Sequence, residues 1–442
     1  MKSRSRIPIA SLRKPLSALS LISAALLSGS VLAKTQVIHA GELLSVPGEK
    51  PLAKQTLVIK DGKVVEIKKG FVDAKRVDKN AEFIDLSDSF VMPGLMDMHV
   101  HLQGELGPNN DSESLRMSKP LMQMRSQMFA MKIMEAGFTT VRDVGSSPQE
   151  MYGLRDAINK GWVDGPRIIA AGGVGITGGH NDVSGVSPEL MEFHDHSNKT
   201  VCNGPFDCRR AARHTIKYGA DLIKITSTGG VLTDRATGTG QQMEMDELKE
   251  VVLAAKRMGR KVASHAHQED GIIAALEAGV ASIEHGTYAS EKAHKLFKET
   301  GAYLVPTLLA GETVLQMAKN TNVLSESQKA KAIKVGTDMK GNFAKAVKAG
   351  VKIAFGTDSG VSKHGINAQE AVLMHNAGMS AMNVIKSATV NAADLIDMTD
   401  SLGTLEPGKY ADIIATNGSP LKNIEELLDV DFVMKGGKVI KQ

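Results

Sequence analysis

Residues 92–102 read MPGLMDMHVHL, and the apolar residues of this stretch predict a short buried strand that begins after Pro93-Gly94. His99 and His101 are two residues apart, so both imidazoles project from the same face of that strand. Two convergent imidazoles form half of a zinc-type site. More often, an isolated His-x-His on a strand binds no metal, so the interpretation depends on the rest of the chain.

Strand-like and helix-like stretches alternate over residues 93–406, and several helical stretches end at a glycine just before the next strand. Strands joined by helical crossovers predict a (β/α)8 TIM-type barrel. A doubly wound open sheet is the alternative. The barrel is favoured because polar residues follow several different strands, at the end where such barrels build active sites. The predicted strands are Leu95–Leu102, Phe138–Val141, Arg167–Ala171, Leu222–Thr226, Val262–His267, Ala281–His285, Tyr303–Pro306 and Ile353–Thr357.

Both flanks of this segment are rich in strand patterns. TLVIKDGKVVEI alternates around Asp61-Gly62, and DFVMKGGKVIK turns at Gly436-Gly437, which is typical of two hairpins. We therefore expect a small composite β-sandwich, built from residues 34–92 plus residues 407–442, with the barrel of residues 93–406 inserted between them.

The first 33 residues have the pattern of a secretory signal peptide: basic residues without an acid, a Ser/Ala/Leu-rich stretch and the small-residue sequence Val31-Leu32-Ala33. The formal net charge of +4 comes from this leader, so it gives no argument for nucleic-acid binding. We expect cleavage after Ala33 and export to the periplasm or the medium. An uncleaved membrane anchor is the alternative, although the stretch is only marginally long enough. No stable membrane insertion is expected after cleavage.

The sequence contains two cysteines, Cys202 and Cys208, six positions apart. In an exported protein they can pair as a local disulfide. Two free structural thiols fit the sequence nearly as well.

Polar side chains also mark the later barrel strands. Lys224 lies in the apolar strand LIKIT, where an unpaired ammonium is costly to bury. VASHAH repeats the two-residue spacing with His265 and His267. His285 ends SIEH, and Asp358 ends IAFGTD. Together they predict a metal-binding centre at one mouth of the barrel.

This ordered set resembles the metal-dependent amidohydrolase superfamily over essentially the whole mature chain. Its members carry His-x-His on strand one, a carboxylated lysine on strand four, histidines on strands five and six, and aspartate on strand eight. GADLIKI, SHAHQEDGI, AGVASIEHGTY and FGTDSG are similar to the branch of Xaa-Pro dipeptidases, related carboxypeptidases and ochratoxin-hydrolysing amidases. The resemblance implies the ligands His99, His101, Lys224, His265, His285 and Asp358.

The resemblance also implies a binuclear mechanism. CO₂ adds to the Lys224 amine, and the resulting carbamate bridges two divalent ions, with zinc as the expected metal. A hydroxide between the ions attacks the scissile carbonyl. Asp358 carries the proton to the leaving amine. One ion would be held by His99, His101 and Asp358, and the other by His265 and His285.

His267 and His180, the latter in the glycine-flanked loop TGGHND, are the candidate substrate contacts. Two other roles are open for His267: it can hydrogen-bond to a metal ligand without contacting the metal, or it can replace His265 as the strand-five ligand. His180 is as easily an ordinary loop residue. His194 and His196 lie in a polar stretch and are expected to be solvated.

The methionine-rich segment from Met117 to Met134 is expected to be mostly helix core, with a pocket wall or a subunit contact as alternatives.

We expect this chain to hydrolyse an amide whose leaving amine is an amino acid with a free carboxylate, as in an acyl-amino acid, a dipeptide or an ochratoxin-like aromatic amide. A deaminase of the superfamily is disfavoured, because Lys224 is present and Gln268 stands where deaminases have glutamate. A lactonase or esterase would keep the same ligands and stays open. A non-catalytic assembly relative would lose ligands. The resemblance also implies a homo-oligomer, up to an octamer.

Overall fold

Two sheets organise the part of the chain that the computed structural model describes, which is residues 35–109, 112–113, 116–233 and 238–442. The predicted signal peptide lies outside these residues. Within them, no helix combines the length and apolar character needed to cross a bilayer.

The strands and helices alternate along the barrel segment, as the sequence predicts. The strands are β1 (Thr35–Leu43), β2 (Leu52–Lys60), β3 (Lys63–Lys69), β4 (Glu82–Pro93), β5 (Leu95–Val100), β6 (Phe138–Asp143), β7 (Arg167–Ile176), β8 (Val201–Cys202), β9 (Leu222–Thr226), β10 (Val262–Ala266), β11 (Ser282–His285), β12 (Tyr303–Val305), β13 (Ile413–Thr416), β14 (Phe432–Lys435) and β15 (Lys438–Lys441). The helices are α1 (Ala74–Val77), α2 (Lys119–Glu135), α3 (Pro148–Asn159), α4 (Pro188–Ser197), α5 (Gly204–Lys217), α6 (Met245–Arg257), α7 (Glu269–Ala278), α8 (Glu291–Thr300), α9 (Leu308–Asn320), α10 (Glu326–Lys348), α11 (Gln369–Asn376), α12 (Ala381–Ser387) and α13 (Val390–Leu395), and a 3₁₀ helix spans Ile424–Leu428.

The two chain flanks form one curved sheet in the order β15-β14-β13-β4-β1-β2-β3. Asp61-Gly62 turns the β2–β3 hairpin with positive φ at both residues, and Gly436-Gly437 does the same between β14 and β15. The sheet has its own apolar core. Its edge strand β3 also meets the segment just before β13, where the Val64 amide donates to the carbonyl of Lys409 over 3.0 Å. The predicted β-sandwich from both flanks is therefore confirmed.

The barrel is a parallel sheet in the order β5-β6-β7-β9-β10-β11-β12, with β8 paired to β7 off this path. The predicted eighth strand, Ile353–Thr357, is extended but irregular. It meets β12 at Ile353, and the Met98 amide of β5 donates to the Phe355 carbonyl over 2.8 Å. Its pairing with β5 is interrupted at Thr357, whose amide donates to the Asp97 carboxylate (3.1 Å), and resumes at Asp358, whose amide donates to the His99 carbonyl (2.8 Å). The (β/α)8 prediction is confirmed, with this correction to its last strand.

The methionine-rich helix α2 differs from its prediction as core. Its buried residues are spaced three or four positions apart and so form one stripe along the helix, which includes Ser126, Phe129, Ile133 and Met134. The other methionines fall beside that stripe, so Met124 is 71% exposed and Met128 47% exposed. The core prediction is wrong for these two residues.

A disulfide links Cys202 of β8 to Cys208 of α5, with 4.9 Å between the Cα atoms. Of the two alternatives that the sequence leaves open, a local disulfide and two free thiols, the structure has the disulfide.

Candidate metal centre

The carboxyl ends of the barrel strands converge on a cavity of about 200 Å³. Because parallel strands end at the same mouth of a barrel, residues that are far apart in sequence meet there. All eight predicted site residues line this cavity: His99, His101, His180, Lys224, His265, His267, His285 and Asp358.

Two overlapping sets of donor atoms lie close enough to share metal ions. One atom each from His99, His285 and Asp358 lie within 4.8 Å of one another, and so do atoms of His265, His267 and His285. Imidazole nitrogens and carboxylate oxygens are the donors that zinc-type divalent ions prefer.

Asp358 gives the clearest sign that a cation belongs here. Its Oδ1 lies 2.9 Å from His101 Nε2 and 3.5 Å from His99 Nε2. Yet this buried oxygen makes no correctly aligned hydrogen bond within the described residues. Burial would raise the pKa of Asp358, but His99 and His101 lower it overall. A carboxylate that stays ionised among imidazoles fits a divalent ion, so the residues fit divalent metal use.

His99 is oriented from behind by a buried ion pair. Its Nδ1 donates to Glu284 Oε2 over 2.8 Å, and Arg142 Nη2 donates to Glu284 Oε1 over 2.8 Å. Burial would raise the pKa of Glu284, but Arg142 and His99 lower it to about 2. Since Nδ1 carries the proton of this hydrogen bond, the lone pair of His99 is on Nε2, the atom that faces Asp358.

Two of the predicted ligands have an uncommon backbone conformation. The φ angles of His285 and Asp358 are 72° and 58°, and Thr307 has a φ of 51°. Left-handed backbone is unfavourable for side chains other than glycine and is concentrated at functional sites. Thr307 also fixes the imidazole of His285, since its Oγ1 lies 2.7 Å from Nδ1.

Lys224 is 7% exposed and makes no hydrogen bond or ion pair with the described residues. Burial lowers its pKa, and the negative charges of Glu284 and Asp358 offset this only in part. The amine is therefore shifted towards its neutral form, which is the form that can add to CO₂.

His267 and His180 lie beside these residues. His267 Nδ1 is 2.9 Å from Thr287 Oγ1, and His180 Nδ1 is hydrogen-bonded to Thr233 Oγ1. Burial lowers the pKa of His267 to about 4 and that of His180 to about 3, so both imidazoles are neutral near pH 7. The ring of His267 lies 4.9 Å from that of His285, and His265 lies 4.6 Å from it, so both strand-five histidines are within reach of the same centre.

His194 does not line this cavity. It lies on α4 with Nδ1 4.0 Å from Asp182, and its side chain is 37% exposed. The side chain of His196 lies outside the described part of the structure.

The wall opposite the ligands is apolar and comes from α9, α10 and the segment after β9. Met122 of α2 reaches only an adjoining cleft, so the pocket-wall alternative for the methionine-rich helix is wrong for this cavity. The wall consists of Val231, Leu232, Ala310, Val314, Val335 and Met339.

Several supporting residues were missed by sequence reasoning. Arg142 and Glu284 are charged residues of fully buried strands. Their strands, FTTVRD and SIEH, contain other polar residues, so the argument that singles out Lys224 in LIKIT does not single them out. Asp97 lies in β5 and accepts from Thr357 Oγ1 over 2.7 Å and from Asn367 Nδ2 over 2.8 Å. Its pKa is raised to about 6 by burial.

Replacing Glu284 by glutamine tests the support of His99. Glu284→Gln keeps the side-chain size but removes the charge between Arg142 and His99. We expect metal affinity to fall about 10- to 100-fold, the usual effect of losing a ligand's hydrogen-bond partner. Breaking the buried pair should also lower the free energy of unfolding by about 3 kcal/mol. Chelator competition and denaturant titration measure these effects, and Glu277→Gln, at an exposed position of α7, is the control. Unchanged metal affinity would contradict the assigned role.

Comparisons with known proteins agree with this geometry. The amidohydrolase family model matches residues 90–440. The ochratoxinase of Aspergillus niger is 32% identical to this chain over 433 residues, covering 92% of this chain and 87% of the ochratoxinase.

Solved structures give the same result. A Xaa-Pro dipeptidase with methionine bound in its active site is 41% identical, with a TM-score of 0.87, and covers 92% of this chain and 100% of its own. A prolidase complexed with N-methylphosphonate-L-proline is 29% identical, with a TM-score of 0.82 and the same coverage. The family match over most of the chain carries the conclusion: this chain belongs to the amidohydrolase family and is a hydrolase of amide bonds.

Proposed function

We propose that the enzyme cleaves an amide whose leaving amine is an amino acid with a free α-carboxylate. We also propose that it uses two divalent ions, with zinc expected, bridged by a carbamate on Lys224. The observation that carries the proposal is the single cavity in which all six predicted ligands lie beside two further histidines. The similarity to an ochratoxinase and to a Xaa-Pro dipeptidase supports the same substrate class.

The metals would be divided between the two sides of the cavity. His99, His101 and Asp358 would hold one ion, and His265 and His285 the other, with Lys224 between them. Ions bound there would supply Lewis acidity, which activates water and polarises the scissile carbonyl.

Asp358 would move the proton in this mechanism. Its low pKa keeps the carboxylate ionised, so it begins the reaction as a base. It accepts the proton that the attacking water loses and delivers it to the nitrogen of the leaving amine.

His180 and His267 support recognition of the substrate carboxylate. When Nδ1 accepts from the neighbouring threonine hydroxyl, Nε2 carries the proton and can donate to a carboxylate oxygen. Lys331 adds positive charge nearby, because its Nζ donates to the carbonyls of Thr233 (2.6 Å) and Gly230 (3.1 Å). The aliphatic wall opposite suits a leaving amino acid with a hydrophobic side chain.

A matched pair of substrates tests this assignment. The two differ only in the α-carboxylate of the leaving amino acid, free in one and converted to an amide in the other. A charge-assisted hydrogen bond contributes about 1.5–3 kcal/mol, so we expect kcat/KM to fall roughly 10- to 150-fold for the neutral substrate. Equal rates on both, or faster hydrolysis of simple esters and lactones, would exclude the proposed substrate class.

A further inference from the structure

A second cleft, of about 360 Å³, adjoins the cavity of the predicted ligands at His101. The two spaces share four lining residues, His101, Gly145, Leu232 and Val361. Gly145 packs closely against the imidazole, because a Cβ built there would lie 2.2 Å from His101 Cε1. The position of the His101 imidazole between the two spaces therefore depends on the absence of a side chain at position 145.

One side of this cleft is apolar. Leu106, Leu232 and Val361 pack in one cluster at its wall, and Met122 of α2 adds to it. A cleft of this volume holds considerably more than a methyl group. It therefore suits a bulky apolar body.

The other side carries hydrogen-bond donors. Arg125 Nε donates to the Gln103 carbonyl over 3.0 Å, and its Nη1 is paired with Glu113. The Ser147 amide donates to Gln103 Oε1 over 2.9 Å. Because a backbone N–H can donate only to the oxygen, this bond fixes which end of the Gln103 amide is nitrogen.

Gln103 Nε2 is thereby left as a buried donor without a partner among the described residues. Buried donors are normally paired, and Gln103 lines the cleft, so a ligand bound there can supply the missing acceptor. Glu113 already balances the charge of Arg125, so a neutral acceptor oxygen suits this side better than a second carboxylate.

We propose that this cleft binds the acyl half of the amide substrate and selects bulky apolar acyl groups that carry a neutral, hydrogen-bond-accepting oxygen for Gln103. The inference rests on the proposed function, in which the carbonyl lies at Asp358 and the amino-acid carboxylate extends towards His180 and His267. The acyl half then extends the other way, past His101.

The test compares amides of phenylalanine that differ only in the acyl group: acetyl, phenylpropanoyl, para-acetylphenylpropanoyl and para-carboxyphenylpropanoyl. The saturated linker keeps the para substituent from changing the reactivity of the scissile carbonyl. We expect kcat/KM to rise from acetyl to phenylpropanoyl and again to the ketone.

Gln103→Glu keeps the oxygen that accepts from Ser147 and replaces the free donor by an acceptor. We expect it to lower the ratio of kcat/KM for the ketone to that for the phenylpropanoyl amide about 10-fold. Gln149→Glu, an exposed change of the same charge two residues after Ser147, should leave this ratio unaltered. Thermal unfolding of both variants monitors the fold.

The inference is overturned if the wild-type enzyme treats the ketone and phenylpropanoyl amides alike, if Gln103→Glu leaves their ratio unchanged, or if both variants change it equally. Preference for the carboxyphenyl amide over the ketone would overturn the neutral-acceptor assignment. Hydrolysis of the acetyl amide without any acyl selectivity rejects the cleft and retains the proposed function, whereas no hydrolysis of any amide rejects both.

Discussion

Replacing Lys224 by alanine is expected to abolish amide hydrolysis and to lower the metal content of the protein. The side chain is buried on β9 without an ion-pair partner in the described structure, and the neighbouring strand β10 carries the predicted ligand His265. A carbamate on it would remove the cation and supply two oxygen donors. Losing a metal ion costs several kcal/mol of transition-state stabilisation, so turnover should fall at least about 1000-fold.

The measurements are turnover and metal analysis of the purified variant. Lys217→Ala, at the exposed end of α5, is the matched control and should behave as wild type. Acetate or propionate should partly restore activity to Lys224→Ala, because a small carboxylate can occupy the space of the carbamate. Full turnover with two metals per chain in that variant would refute the bridging role.

Asp358→Asn is expected to retain the fold and much of the metal but to lose at least about 100-fold in kcat, the usual contribution of a positioned acid–base group. The side-chain oxygen of asparagine can still bind a metal ion, but the amide cannot accept a proton and return it. Because the native pKa lies below its ordinary value, the wild-type enzyme should not lose activity through this group near neutral pH.

Steady-state kinetics with parallel metal analysis separates the two roles of Asp358. Asp400→Asn, exposed and distant in sequence from the barrel ligands, is the control. Near-normal turnover of Asp358→Asn would show that the carboxylate does not take part in proton transfer. Loss of all metal from this variant would show that the main role of Asp358 is to bind the metal.

That the side chains of the predicted ligands would meet at one mouth of the barrel could be predicted from the sequence, because they follow the carboxyl ends of predicted barrel strands. Their assignment as ligands came from the family resemblance. Lys224 was singled out as a charged residue in the apolar strand LIKIT, where an unpaired ammonium is costly to bury. Arg142 and Glu284 have polar neighbours in FTTVRD and SIEH, so the sequence does not mark them in the same way. Their ion pair across the barrel explains why both are tolerated in buried strands. The barrel and the two hairpins follow from local patterns, namely helical stops and positive-φ turns.

Other parts of the site depend on contacts that no local pattern contains. Glu370 of α11 accepts from the amides of Leu308 and Leu309 over 2.9 and 2.6 Å, and so caps the start of α9 next to Thr307. Burial raises the pKa of Glu370 to about 8. Nothing near Glu370 in sequence indicates a partner 62 residues away.

The methionines of α2 show a different limit. Their number suggested a packed core, but burial in a helix depends on the angular position of each residue. Met134 lies on the inward stripe, and Met124 lies off it. The number of methionines alone does not show which of them face the core.

The shared sheet has a consequence for the order in which the chain folds. Strand β4 pairs on one side with β1 and on the other with β13, which follows the entire barrel in sequence. During synthesis, β4 therefore keeps an unpaired edge until β13 has left the ribosome, and such edges invite association with other chains. Closing a loop of this length also has a high entropic cost and slows folding. Docking of β13–β15 should consequently be a late step, one that also joins the C-terminal flank to the barrel through the Arg167–Asp412 ion pair.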